Sequence, residues 1–179
     1  MLFITVLAIG GIAAEPAAPG TNPPNIHGET LNGNSIDLPQ AAAGKVTVLI
    51  LGFSKQGGQQ TGIWEKHLSQ DFSGDAHFTS YTVAVLEDAP ALFRKMIKAG
   101  IRSGTPTPKR DYVITTESGE ASLKRFLGVS DNNIPYLLLL DGTGRVCWSG
   151  QGTFEEHQYE ALRTAIKDRE AEAKPLQRQ

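Results

Sequence analysis

Residues 45–61 read KVTVLILGFSKQGGQQT. From Lys45 to Phe53 the chain is β-rich and apolar on both alternating sets. A strand with one wet face would alternate polar and apolar residues, so this one is predicted to be central and covered on both sides. Next, GGQQTGIWEKHLSQDF places Ile63, Trp64, His67 and Leu68 on one helical stripe. A buried strand, an aromatic, a polar pair, two glycines and a helix have the shape of a reactive loop. Yet residues 52–61 hold no cysteine, histidine or carboxylate.

The same strand-then-helix pattern repeats outward. HFTSYTVAVLED (77–88) is a second strand ending at Glu87 and Asp88. Asp88 is placed to cap the next helix, with Pro90 in its first turn. That helix shows Leu92, Phe93, Met96 and Ile97 at core spacing and is predicted to end near Gly100. IRSGTPTPKR reads as a loop and DYVITT as a third strand. SGEASLKRFLGV predicts a short helix with Leu123, Phe126 and Leu127 inward. NIPYLLLLD is a fourth strand entered through Pro135, and GTG turns it into RVCWSG, a hairpin. TFEE has the capping-box form, so the last helix is predicted from Thr153, with Tyr159, Leu162 and Ile166 inward. Before the central strand, GETLNGNSIDL reads as a hairpin about Asn32-Gly33. The order predicts an α/β fold, a mixed central sheet flanked by helices with an N-terminal β-hairpin.

The totals narrow the function. The 179 residues suit one domain with tails. A net charge of −2 gives no global field to hold nucleic acid. The four histidines, at 27, 67, 77 and 157, lack ligand spacing, so no metal site is expected, and no motif calls for a cofactor. A single cysteine, Cys147, forms no internal disulfide. MLFITVLAIGGIAA (1–14) matches the apolar core of a secretory signal, although no Lys or Arg precedes it. Export to the periplasm or another extracytoplasmic space is the expectation, and an uncleaved membrane anchor the alternative. Residues 15–25 read as a Pro-rich linker, 26–173 as the domain and 174–179 as a frayed tail.

The strand-loop-helix unit, NIPYLLLLDGTGRV and the C-terminal helix together resemble a thioredoxin-like domain across residues 45–170. That resemblance implies a cis proline at Ile134–Pro135. Laid on the thioredoxin C-x-x-C motif, the cysteine pair falls on Gly57-Gly58-Gln59-Gln60. Laid on the peroxiredoxin F-T-x-x-C pattern, Phe53 and Ser54 match and the thiol again falls on Gly57. More narrowly, VLILGFSKQGGQQTGIWEKHL, VAVLEDAPALFRKMIKAGIRSGTP and YLLLLDGTGRVCWSGQG are similar to the ATPase complex subunit ten family. Its mitochondrial members assist assembly of the ATP synthase Fo sector, and it has bacterial relatives. The resemblance implies a polypeptide partner, with an envelope membrane complex as its setting.

Thioredoxin chemistry needs a thiolate at a helix N-terminus and a second thiol to resolve the mixed disulfide. Glycine and glutamine supply neither, and Ser54 has no base nearby in sequence. No catalytic residue is therefore assigned. Ser54, Lys55, Gln56, Gly57 and Gly58 form a candidate binding loop, where glycines admit a ligand to backbone N–H groups at a helix start; the same glycines equally serve to shape the turn. Ile134 and Pro135 are a candidate groove for an extended peptide, or simply a strand entry. His67, on the apolar stripe, reads as packed rather than as a base. Cys147 is the candidate thiol of an alternative, one-cysteine oxidoreductase reading. By alternation it shares a face with Arg145 and Ser149, opposite Val146 and Trp148.

Overall fold

The computed structural model describes residues 17–173. The signal segment (1–14) and the tail (174–179) lie outside the described residues. The strands are β1 (Ile26–Thr30), β2 (Ser35–Leu38), β3 (Val46–Gly52), β4 (Phe78–Val85), β5 (Val113–Thr116), β6 (Tyr136–Leu140) and β7 (Val146–Gln151). The helices are α1 (Lys55–Phe72), α2 (Ala91–Gly104), α3 (Glu120–Leu127) and α4 (Glu156–Ala173). The seven strands form one sheet in the order β2-β1-β5-β4-β3-β6-β7. β3, β4 and β5 run parallel, while β1, β6 and β7 pair antiparallel with their neighbours, so the sheet is mixed.

β3 is central, and every residue of it is buried. Its alternation feeds two cores. Leu49 and Leu51 join Tyr136, Leu138, Leu123 and Leu127 on the α3 side. Val48 and Ile50 join Trp64, Leu68, Leu137, Leu139 and Leu162 on the side of α1 and α4. β6 is likewise buried throughout, which is why YLLLL shows no polar alternation. The N-terminal hairpin forms as expected, with Gly33 at φ 90° in its turn. Residues 17–21 lie along β7: Gly20 N–H donates to Val146 O, and Val146 N–H donates to Thr21 O.

Several expectations are corrected. On α1 the buried face is Gly57, Thr61, Trp64, Leu68 and Phe72, and Ile63 is exposed. α4 starts at Glu156 rather than Thr153. α2 continues past Gly100 to Gly104, followed by a 3₁₀ turn over Thr107–Tyr112. Pro90, not Asp88, precedes α2, and no side chain caps that helix. Among the described residues the cis peptide bond is Leu38–Pro39, so Ile134–Pro135 is not cis. In β7 the register skips Cys147, since Leu139 faces Trp148 and Leu140 faces Val146. This bulge reverses the alternation: Val146 packs in the α3-side core, while Cys147 and Trp148 pack against the other.

The largest correction concerns α2. Its apolar spacing is the pattern of a core helix, yet no residue of α2 is buried. Leu92, Phe93 and Met96 are exposed. Polar links hold the helix instead. Arg94 Nη1 meets Glu117 Oε2 at 3.2 Å, and Lys98 Nζ meets Glu117 Oε1 at 2.7 Å and Glu29 Oε2 at 3.4 Å.

Candidate functional site

The reactive-loop position lies where β3 ends and α1 begins. Ser54 is extended (φ −145°, ψ 171°), and its Oγ accepts the Gly57 N–H at 3.1 Å, so it caps α1. The same hydroxyl donates to Asn133 Oδ1 at 3.0 Å, tying the helix start to the loop before β6. Gly57 is buried against that loop. A Cβ at position 57 would lie 2.7 Å from Asn132 O and 3.3 Å from Ile134 O. Position 57 is thus closed by backbone, which cannot swing aside as a flexible side chain can. The neighbouring glycine differs: a Cβ on Gly58 would meet nothing, whereas one on Gly52 would lie 3.0 Å from Gly58 N and Cα.

The structure brings the candidate loop and the Ile134–Pro135 segment together, but by direct packing rather than across a gap. Ile134 packs partly buried against the core, and Pro135 O already accepts the Gly152 N–H at 2.9 Å. The Pro135 carbonyl is thus already used within the sheet.

Beside the loop, Phe53 lies under an ionic clasp. Lys124 Nζ sits 5.8 Å from the Phe53 ring centre, 2.6 Å from Glu120 Oε1 and 2.9 Å from Asp88 Oδ2. Glu120 is 3% exposed, and its Oε2 accepts the Asp88 N–H. In return Glu87 Oε2 accepts the Glu120 N–H at the start of α3, where a carboxylate suits the helix dipole. The hydrogen bond from Lys124 holds the Asp88 carboxyl below its usual range, and the bond to Glu120 raises the Lys124 ammonium. The end of β4 is thereby fixed to α3, so the acidic pair that closes the strand does structural work here.

The open space lies on the other side of the sheet. A cleft of about 1460 Å³ runs between α1 and α2 over β4. Gly58, Gly62 and Ser69 face it from α1, and Ile97, Gly100 and Gly104 face it from α2. Ser80, Thr82 and Ala84 form its floor and are only partly covered. Lys109 bridges it: its Nζ lies 3.0 Å from both Glu65 carboxylate oxygens and donates to Ser69 Oγ at 3.1 Å. Ser54, Lys55 and Gly58 of the candidate loop border one end. The sequence reading missed this cleft, although two signals for it were present. Alternate positions of β4 are small or polar, where β3 runs aliphatic from Val48 to Leu51. Gly62 and Gly100 also interrupt helices at a cost of about 1 kcal/mol each.

The remaining candidates, Cys147 and His67, lie away from the loop after β3 and pack against the core on the side of α1 and α4. Burial, with Asp141 nearby, pushes the Cys147 thiol up and away from the reactive thiolate. His67 stacks on Phe154 with ring centres 4.1 Å apart. Among the described residues no group of His, Cys, Asp and Glu is placed to hold a metal, and no helix is long and apolar enough to cross a membrane.

The family model described as ATP10 protein matches residues 20–168, which include every strand of the sheet. The chain belongs to the ATP10 protein family. None of the curated proteins compared matches this ATP10 family member. Among solved structures, it is similar to the thioredoxin domain of a thiol-disulfide oxidoreductase from Bacteroides vulgatus, at 18% identity and a TM-score of 0.59 over 83% of this chain and 98% of that one. It is also similar to BsSco, a member of the Sco family of cytochrome c oxidase assembly proteins, at 12% identity and TM-score 0.59, covering 88% and 96%. A thiol peroxidase from Chromobacterium violaceum matches at 12% identity and TM-score 0.57, covering 88% and 90%. These likenesses establish the thioredoxin-like fold of this ATP10 family member.

Proposed function

We propose that this protein is a redox-inactive member of its fold that acts by binding a polypeptide during assembly of a membrane complex in the cell envelope. The observation that carries the reading is the closed thiol position, where Gly57 leaves no room for a Cβ against Asn132 O. The raised Cys147 thiol favours this reading over the one-cysteine alternative. Membership of the ATP10 family supports an assembly role, and the apolar segment 1–14 supports export. The cleft between α1 and α2 is the binding surface in this reading, with Lys55 and Gly58 at its end.

Disulfide-reduction and peroxidase assays should both be blank. A photo-crosslinker at Gly62, inside the cleft, should capture a discrete polypeptide in native membranes, while one at Ser122 on α3 should not. Robust turnover that disappears in Cys147→Ser would sink the proposal. So would equal capture from the two positions.

A further inference from the structure

The exposed large side chains of α2 carry a second signal, which meets the cleft only at Met96 on its rim. Leu92, Phe93 and Met96 are 85%, 47% and 64% exposed. The helix, ALFRKMIKAGIRSG, holds four cations and no carboxylate, in a chain whose net charge is −2. Arg94 and Lys98 turn toward the protein and bind Glu117. Lys95 and Arg102 are exposed and form no ion pair among the described residues. At helical spacing Leu92, Lys95, Met96, Ala99 and Arg102 share one stripe, and all five are exposed.

We infer that this face of α2 docks on the surface of an anionic phospholipid bilayer. Leu92, Phe93 and Met96 enter the boundary between headgroups and acyl chains, and Lys95 and Arg102 meet the phosphates. An exposed apolar stripe alone would equally suit a polypeptide groove. The local excess of cations, two of them unpaired within the stripe, selects a negatively charged surface. Fourteen residues with this charge lie in an interface and do not span it.

The test uses the full chain with Cys147→Ser and Met96→Cys, the new thiol carrying an environment-sensitive fluorophore. On vesicles of phosphatidylcholine and phosphatidylglycerol the emission should shift to the blue and be quenched by lipids labelled near the headgroup. On phosphatidylcholine alone it should not. Adding Lys95→Glu and Arg102→Glu should weaken this insertion by about tenfold or more. A fluorophore at Ser122 should stay wet throughout. The depth reading separates α2 from any membrane contact made by residues 1–14. The inference is overturned if the probe at 96 stays wet while the chain is vesicle-bound, or shifts equally on neutral vesicles. A shift without lipid as protein concentration rises would mark a polypeptide contact and overturn it too.

Discussion

Gly57 decides what the loop after β3 can do. Glycine there lets the backbone of residues 132–134 lie directly on the first turn of α1. Gly57→Cys should therefore yield no oxidoreductase activity and should cost about 1–3 kcal/mol by overpacking, read as a lower urea midpoint. Gly58→Ala, with open space around it, should cost far less. Ser54→Ala removes both the helix cap and the link to Asn133, and should lower stability by about 1 kcal/mol. Cys147 lies in a bulge with its thiol raised by burial, so in the native protein it should alkylate many times more slowly than in urea. Ser54, Gly57 and Cys147 were all legible as positions in the sequence. The packing that closes one of them and the bulge that turns another were not, because both depend on residues far along the chain.

α1 and α2 carry similar apolar patterns and have opposite fates. Leu68 is buried, so Leu68→Ala should cost about 2–5 kcal/mol. Leu92 is exposed, and Leu92→Ser should change stability by no more than about 0.5 kcal/mol, measured by the same denaturation. Since α2 is held by ion pairs, its attachment should depend on pH. Lys98 lowers the Glu117 carboxyl, so that contribution is present above the ordinary value of 4.5 and is lost as the pH falls through the lower folded value. Glu117 raises Lys98, so its contribution is present below 10.5 and is lost as the pH rises through the higher folded value. Between those limits α2 should be held best. Amide exchange across 91–104, corrected for intrinsic rates, should accelerate as the pH falls below 4.5, and in about 1 M salt, where the pairs are screened. Uniform exchange across that range would contradict ionic attachment.

At the scale of the molecule, stability resides in β3, β4 and β6 with α1, α3 and α4, and α2 stands at the margin. Local opening should therefore begin at α2 and the 3₁₀ turn after it. Brief trypsin digestion should cut first between Arg94 and Arg110, leaving a nicked protein with most of its helical and strand signal. Early cleavage within α1 or α4 would show that the margin lies elsewhere. The thioredoxin-like frame is retained, while position 57 is packed against residues 132–134 and a cleft lies open on the same side as α1.

By itself the sequence determined the central strand, the order of strands and helices, the N-terminal hairpin and the absence of cysteine from the loop after β3. Each of these is written in local periodicity, turn residues or residue identity, which short stretches specify. Tertiary structure alone decided that Gly57 is closed rather than vacant, that Asp88 pairs with Lys124 instead of capping a helix, and that α2 leaves its apolar face uncovered. Those outcomes follow from which surfaces meet. A 3.6-residue pattern gives a helix an apolar side, but only the packed chain determines whether anything lies against it.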